Sequence, residues 1–209
     1  AIVLIIGLRS FWLVAATLLS LLSGLILTAC FAAFAIGELN MISVAFAVLY
    51  IGLGADFAIH YCLRYREFIR HGMDKHRALD ATSMDVGSAL ILCAFTTAIG
   101  FFAFIPTAYS GVAELGLISG TGMFISLFLS LTLLPALLRL MPVIRVAPLP
   151  SAPAGILRWP QDHSLLIKRV SLLLACLAVL ILPMLEFDHN PLNLQDQGNE
   201  SVQTFHDLM

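Results

Sequence analysis

Long apolar runs alternate with short polar segments along almost the whole chain. Five runs are complete, and each is close to the roughly 20 residues that an α-helix needs to cross a bilayer's hydrocarbon core. They cover residues 11–36, 41–63, 86–105, 115–138 and 171–185, and residues 1–8 form the end of a preceding run. The last run is the shortest, and Ile167, Val170 and the snorkelling stem of Lys168 extend it. The pattern predicts an all-α, polytopic transmembrane helical bundle.

The composition supports a membrane protein and argues against a nucleic-acid partner. Of the 209 residues, 60% are hydrophobic and 11% are charged, whereas soluble domains carry about 25% charged residues. The formal net charge is -2, and the basic residues are spread over the loops. No basic surface for a polyanion is therefore expected.

The polar segments divide the chain into parts. Residues 1–141 hold the end of one helix and four complete helices, which should pack as one bundle. Residues 142–169 read as a linker because they contain Pro148, Pro150, Pro153 and Pro160. Residues 170–186 form a further transmembrane helix that should dock loosely or stand apart, and residues 187–209 read as the start of a periplasmic domain. We therefore expect a fragment of a longer protein.

The basic residues predict the orientation in the membrane. If Arg9 is cytoplasmic, all 11 Lys and Arg residues fall on the same side. The charged residues of the opposite segments are all acids, namely Glu38, Glu114, Glu186 and Asp188. By the positive-inside rule, the basic loops are cytoplasmic and the tail is periplasmic or extracellular.

Asp56 is the only acid well inside any apolar run. A charged side chain at that depth costs roughly 2.5–3.5 kcal/mol on insertion scales and normally serves a transport or proton pathway. His60 lies at i+4, on the same helical face and nearer the cytoplasm. A carboxylate and an imidazole so placed predict a proton relay. The alternatives are an Asp tolerated in a watery crevice and a His that only bonds a neighbouring helix.

Depth along the neighbouring spans indicates partners for this pair. Residues at a similar depth are Cys93, Thr96, Thr97, Ser126 and Ser130, of which Thr96 and Thr97 are the favoured relay or packing partners. Gly52 and Gly54 would let a neighbouring helix press against the Asp56 helix, although packing alone explains them equally well. Gly116 and Gly120 have the small-xxx-small spacing that favours close helix approach.

The sequence predicts neither a metal site nor a cofactor. The cysteines, Cys30, Cys62, Cys93 and Cys176, lie in apolar runs at no metal-like spacing and read as packing residues. His71 and His76 lie in a charged loop without the acids or thiols that zinc would need.

Motifs along nearly the whole chain carry a family resemblance. Around Asp56 they are Leu39-Asn40, Gly52-Leu53-Gly54-Ala55-Asp56-Phe57-Ala58-Ile59-His60 and Arg64-Tyr65-Arg66-Glu67. Further on they are Gly100-Phe101-Phe102-Ala103-Phe104-Ile105-Pro106-Thr107, Gly111-Val112-Ala113-Glu114-Leu115-Gly116 and Leu134-Pro135-Ala136-Leu137-Leu138. Together with the tail from Phe187, they resemble transporters of the RND superfamily, most closely the MMPL and hopanoid-transporter branch.

The resemblance implies a fold and a function. Such transporters have two similar halves, and this chain matches the end of helix two, helices three to seven and the start of the second periplasmic domain. The region also resembles the sterol-sensing domain. An acid on helix four, matched here by Asp56, works with groups on helix ten to move protons inward and drive export. Many MMPL members place Tyr after that acid, whereas this chain has Phe57.

The expected function is therefore proton-coupled export of lipids or other hydrophobic molecules from a bacterial inner membrane, with hopanoids as the favoured cargo. The expected partners are membrane lipids, cargo, protons and the missing second half, and self-assembly into a homo-oligomer stays open. One alternative is a sterol-sensing type of protein that binds lipid without pumping. Another is an intramembrane aspartyl protease, which needs two carboxylates at one depth. Because no second acid lies at a comparable depth, with Asp85 and Glu114 at span ends, a non-enzyme is favoured.

Overall fold

The computed structural model describes residues 2–8, 10–142 and 162–182, and all the regular elements in these ranges are helical. They are α1 (Ile2–Leu8), α2 (Phe11–Ala35), a 3₁₀ turn (Ser43–Ala45), α3 (Phe46–Arg70), α4 (Lys75–Phe102), α5 (Ser110–Leu131), α6 (Leu133–Leu140) and α7 (Ser164–Ile181). The predicted all-α class is confirmed.

Five helical segments are long and apolar enough to cross a membrane, judged by length and composition within the described residues. They are Phe11–Ala35, Ser43–Arg70, Lys75–Phe102, Ser110–Leu140 and Ser164–Ile181. Each corresponds to one of the predicted spans, so the number and order of the spans agree with the hydrophobic pattern.

The prediction that a charged segment separates the second and third spans is wrong in its boundaries. Helix α3 continues to Arg70, and α4 already begins at Lys75, eleven residues before the predicted start. Gly72, at φ +83°, ends α3, with the Gly72 amide bonded to the Ile69 carbonyl and the Met73 amide to the Phe68 carbonyl. This is a Schellman motif, for which glycine is the preferred residue. Asp74 then caps α4 by accepting a bond from the His76 amide at 3.2 Å.

The fourth span is divided into α5 and α6 at Thr132. Pro135 explains the break, since its ring lacks an N–H and its bulk opposes the carbonyl of the residue four positions earlier. The Thr132 hydroxyl donates to the Phe128 carbonyl at 2.6 Å, so this end of α5 is satisfied locally. Beyond the break, Leu134 and Leu138 are buried.

Helix α5 packs against α2, α3 and α4 and occupies the middle of the bundle. The predicted close approach at Gly116 and Gly120 is confirmed. A Cβ on Gly116 would lie 2.5 Å from the Phe101 carbonyl oxygen, and one on Gly120 would lie 2.3 Å from Phe102 Cε1. Only glycine fits where α5 contacts the end of α4.

The helices up to α6 form one compact unit, and α7 belongs to a second unit. Helix α7 begins at Ser164 rather than at the predicted residue 170, so the predicted linker ends too late. The proline-rich part of that linker, residues 143–161, and the predicted periplasmic segment, residues 187–209, lie outside the described residues.

Candidate functional site

Asp56 and His60 lie one turn apart on α3 and share the face of this helix that the bundle leaves exposed. The opposite face carries the buried side chains Phe57, Ala58 and Tyr61. Among the described residues, neither Asp56 nor His60 makes a hydrogen bond or an ion pair. Both functional groups are therefore presented to a surface rather than used inside this bundle.

The two side chains line one cavity of about 280 Å³ between α3 and α4, with Met123 contributed by α5. Cys93 and Thr97 line it from α4. The rest of the lining is apolar: Leu53, Phe57, Val86, Ala89, Leu90 and Met123. One carboxylate, one imidazole, one thiol and one hydroxyl thus share a mostly apolar space at membrane depth.

The candidate partners that share the predicted depth of Asp56 differ in whether they line its cavity. Thr97 is half-buried and lines the cavity. Thr96 is exposed and is not among the cavity-lining residues, and its hydroxyl donates to the Leu92 and Cys93 carbonyls, at 3.0 Å in each case. Ser126 and Ser130 are buried in the bundle and are absent from the cavity lining.

The two glycines before Asp56 have different environments. A Cβ on Gly54 would lie 3.1 Å from both Leu21 Cδ1 and Ser126 Oγ, so Gly54 lets α2 and α5 approach α3 closely. Gly52 is exposed and has no such neighbour within 4 Å among the described residues. Gly54 therefore anchors the side of α3 that lies opposite Asp56, since residues two apart on a helix point to nearly opposite sides.

Phe57 directly follows Asp56 on α3. Its side chain is buried and packs with Leu90, Ala94, Ala98 and Met123. It lines the inner wall of the cavity but carries no group that could exchange a proton with Asp56.

Asp56, His60 and Arg64 form a row of polar side chains at one-turn intervals on α3, which we call the polar file. The sequence-based predictions give Arg64 no role at the site. Its Nε lies 2.5 Å from Asp85 Oδ2 on α4, and its Nη1 lies 2.6 Å from Glu67 Oε2. The spacing of Asp56, His60 and Arg64 at i, i+4 and i+8 is the sequence signal that could have placed Arg64 near the site. Ionisable side chains therefore recur at one-turn intervals along α3, up to a charged cluster near the end of the helix.

The groups of this site can be compared with those that metal binding and proton exchange require. Over the described part of the chain, no three His, Cys, Asp or Glu side chains come together as metal ligands. A carboxylate and an imidazole on one face can pass a proton, directly or through water.

The chain is similar in sequence to a known family and to curated members of it. A family model described as the MMPL family matches residues 1–172. The chain is 44% identical to the hopanoid transporter HpnN of Burkholderia multivorans over 210 residues, which cover 97% of this chain and 23% of that protein. It is 38% identical to the hopanoid transporter HpnN of Rhodopseudomonas palustris over 213 residues, which cover 99% of this chain and 24% of that protein.

A more distant relative covers only part of the chain. The probable transport protein MmpL12 of Mycobacterium tuberculosis is 31% identical over 102 residues, which cover 48% of this chain and 9% of that protein. The chain thus spans about a quarter of the length of the HpnN relatives. All three relatives bear the names of transport proteins, which points away from an enzyme.

Proposed function

This chain belongs to the MMPL family, and from that premise we propose that it is part of a proton-coupled exporter of lipids or other hydrophobic molecules. The five membrane-length helices and the HpnN relatives make it a multi-pass bacterial membrane protein. We assign it to the inner membrane, with the basic loops cytoplasmic and the segment after α7 periplasmic. The cargo we favour is a hopanoid, because two relatives that match nearly the whole chain are named hopanoid transporters.

The single observation that carries the proton coupling is the shared cavity of Asp56 and His60. A charged carboxylate facing lipid at this depth costs roughly 2.5–3.5 kcal/mol on insertion scales. A proton, a cation or an ordered hydrogen-bond partner removes that cost. None of the described residues hydrogen-bonds or pairs with Asp56, and we assign its partner to another part of the full-length protein.

The proposed coupling works by alternation of Asp56 between its neutral and charged forms. The neutral form is stable in the apolar cavity, whereas the charged form draws in water or a cationic partner from the second half of the transporter. His60 accepts the proton one turn nearer the Arg64 cluster, and the proton leaves at the cytoplasmic end. The exposed face of α3 then moves against the helices of the second half of the transporter, and this movement drives export.

The test uses the full-length protein reconstituted in vesicles, with lipid transfer measured in the presence and absence of an imposed proton gradient. Asp56→Asn keeps the shape of the side chain and most of its hydrogen bonding but cannot titrate, so gradient-driven transfer should fall to the background rate. His60→Gln should slow transfer and change its pH profile. Glu38→Gln is the matched control, because Glu38 is an exposed acid at the other end of the bundle.

Wild-type transfer rates for Asp56→Asn would remove the relay. If lipid binds but its transfer does not depend on the gradient even in the wild type, the protein is a lipid-binding regulator of the sterol-sensing type.

A further inference from the structure

A second cleft lies between the start of α4 and α6, and it shares no residue with the Asp56 cavity. Its volume is about 350 Å³, within the range of small-molecule sites. The lining residues are His76, Leu79, Asp80, Thr132, Pro135, Ala136 and Arg139. The lining therefore combines a basic group on α6, an imidazole on α4 and a carboxylate on α4 with the apolar side chains of Leu79, Pro135 and Ala136.

The charged side chains of this cleft have no partner among the described residues. Within the described residues, the side chains of His76, Asp80 and Arg139 make no hydrogen bond or ion pair, although all three line the same space. Side chains of opposite charge that share a cleft without pairing leave both charges available to a ligand. Such a ligand would carry a negative and a positive group.

The cleft has a fixed frame. Lys75 Nζ donates to the Arg139 carbonyl at 2.8 Å and also to the Met141 carbonyl, which ties the start of α4 to the end of α6. The break at Thr132 and Pro135 sets the direction of α6. Because backbone carbonyls hold the Lys75 ammonium, Arg139 and His76 are the groups that face an anionic ligand.

The depth of the cleft corresponds to the lipid head groups. The apolar run that ends just before Arg139 spans residues 115–138. At 1.5 Å per residue it is about 36 Å long, a little more than the roughly 30 Å hydrocarbon core. Arg139 therefore lies in the interfacial layer, and under the orientation proposed above this is the cytoplasmic leaflet. Basic pockets between helices at this level are suited to lipid head groups.

We propose that this cleft binds the head group of a phospholipid with a phosphate and a primary amine, of the phosphatidylethanolamine class. The Arg139 guanidinium binds the phosphate through its planar pair of N–H donors, and His76 supports it. The Asp80 carboxylate accepts hydrogen bonds from the ammonium.

The same groups disfavour the other common head groups. Phosphatidylglycerol offers no cation to Asp80, so the carboxylate would stay unpaired beside a second negative charge. Phosphatidylcholine has a quaternary ammonium without an N–H donor, which proteins recognise with aromatic rings, and none of the described lining residues of the cleft is Phe, Tyr or Trp. A free phosphate meets the same repulsion from Asp80 as phosphatidylglycerol does.

The experiment places the full-length protein in nanodiscs with equal parts of the three phospholipids and counts retained lipids by native mass spectrometry. The wild type should retain phosphatidylethanolamine preferentially. Arg139→Gln should lower its retention by about tenfold or more, as expected for the loss of a hydrogen bond to a charged group. Asp80→Asn should instead remove the preference for phosphatidylethanolamine over phosphatidylglycerol.

Three controls make the result decisive. Arg77→Gln removes a charge from the same turn of α4 at an exposed position outside the cleft lining, and should change nothing. Arg139→Lys keeps the charge without the planar fork, so it should weaken retention less than Arg139→Gln if both variants fold. Soluble glycerophosphoethanolamine in excess should not displace the lipid, because the acyl chains contribute to binding.

Two results would overturn the proposal. One is equal retention of phosphatidylethanolamine by the wild type, Arg139→Gln and Asp80→Asn. The other is a wild-type preference for phosphatidylglycerol, which would make the cleft a general anion site. Neither result depends on proton-driven transfer, so the proposed export function is tested separately.

Discussion

Arg64 joins α3 to α4 through Asp85, with 2.5 Å between Arg64 Nε and Asp85 Oδ2. The same guanidinium bonds Glu67 and lies over the Phe68 ring, 4.6 Å from its centroid. Because Arg64 is one turn beyond His60, this cluster is where the polar file from Asp56 meets the charged end of the bundle. A change of charge at His60 would therefore be felt by the contact that joins α3 to α4.

The first prediction concerns the stability of this cluster. The side chains of Arg64 and Asp85 are 33% and 46% exposed, so water and salt screen their attraction. Arg64→Gln should lower the thermal unfolding midpoint of the full-length protein only slightly, and the difference from wild type should shrink further in high salt. The control is Arg70→Gln, which removes an exposed arginine that has no ion pair among the described residues. A large loss of stability that salt does not change would show that the pair is buried in the full protein.

The second prediction concerns Asn40 at the other end of the bundle. Its Nδ2 donates to Glu114 Oε2 at 2.8 Å, and its Oδ1 accepts from the Ile42 and Ser43 amides at 2.9 and 2.8 Å. Asn40→Ala loses both the link to α5 and the cap before α3, which should cost about 1–2 kcal/mol of unfolding free energy. Chemical denaturation of the full-length protein measures this loss.

Asn40→Asp tests the same contact through charge. It keeps the cap but places a carboxylate against Glu114, so it should destabilise the protein at neutral pH. The loss should decrease as the pH falls and one of the two carboxylates is protonated. Adding Glu114→Gln should restore stability at neutral pH. If Asn40→Asp is as stable as wild type at every pH, the two side chains are not in contact.

The third prediction compares a buried glycine, Gly116, with an exposed one, Gly52, in the same bundle. Gly116→Ala places a methyl group 2.5 Å from the backbone oxygen of Phe101, which cannot rotate away. We expect a loss of about 1–3 kcal/mol, as for other overpacked positions. Gly52→Ala meets no atom within 4 Å and should be neutral or stabilise the helix by up to about 1 kcal/mol. Similar unfolding curves for the two variants would contradict this prediction, because they would show that α4 can move away from α5 at Gly116 without a loss of unfolding free energy.

The start of α4 shows where sequence reasoning failed and why. Residues 75–85 are rich in charge, and the prediction treats this charge as the sign of a loop. The helix there is amphipathic, with Ala78, Leu79 and Thr82 buried at helical spacing. Gly72 and Asp74 are a typical stop and start for helices, so the boundary was readable from local signals. The apolar pattern alone reports the part of a helix inside lipid, not the whole helix.

The site shows a different limit. Depth along each span correctly brought Thr97 and Cys93 to the level of Asp56, because rise per residue fixes depth. It could not separate Thr97 from Thr96, since that depends on the rotation of α4 about its axis. The rotation is set by contacts such as those of Ala94 and Ala98 in the core, which a single sequence does not give.

The last prediction uses this pair of threonines to test the site itself. Thr97 lines the cavity of Asp56 and His60, whereas the Thr96 hydroxyl is exposed and satisfied by the Leu92 and Cys93 carbonyls. Valine has nearly the same shape as threonine but no hydroxyl, so each variant removes one polar group and little else. Under the proposed relay, Thr97→Val should slow proton-driven lipid transfer and shift its pH profile, because it removes a hydroxyl from the cavity that Asp56 and His60 line. Thr96→Val should transfer lipid at the wild-type rate, and equal effects of the two variants would mean that the cavity plays no part in proton movement.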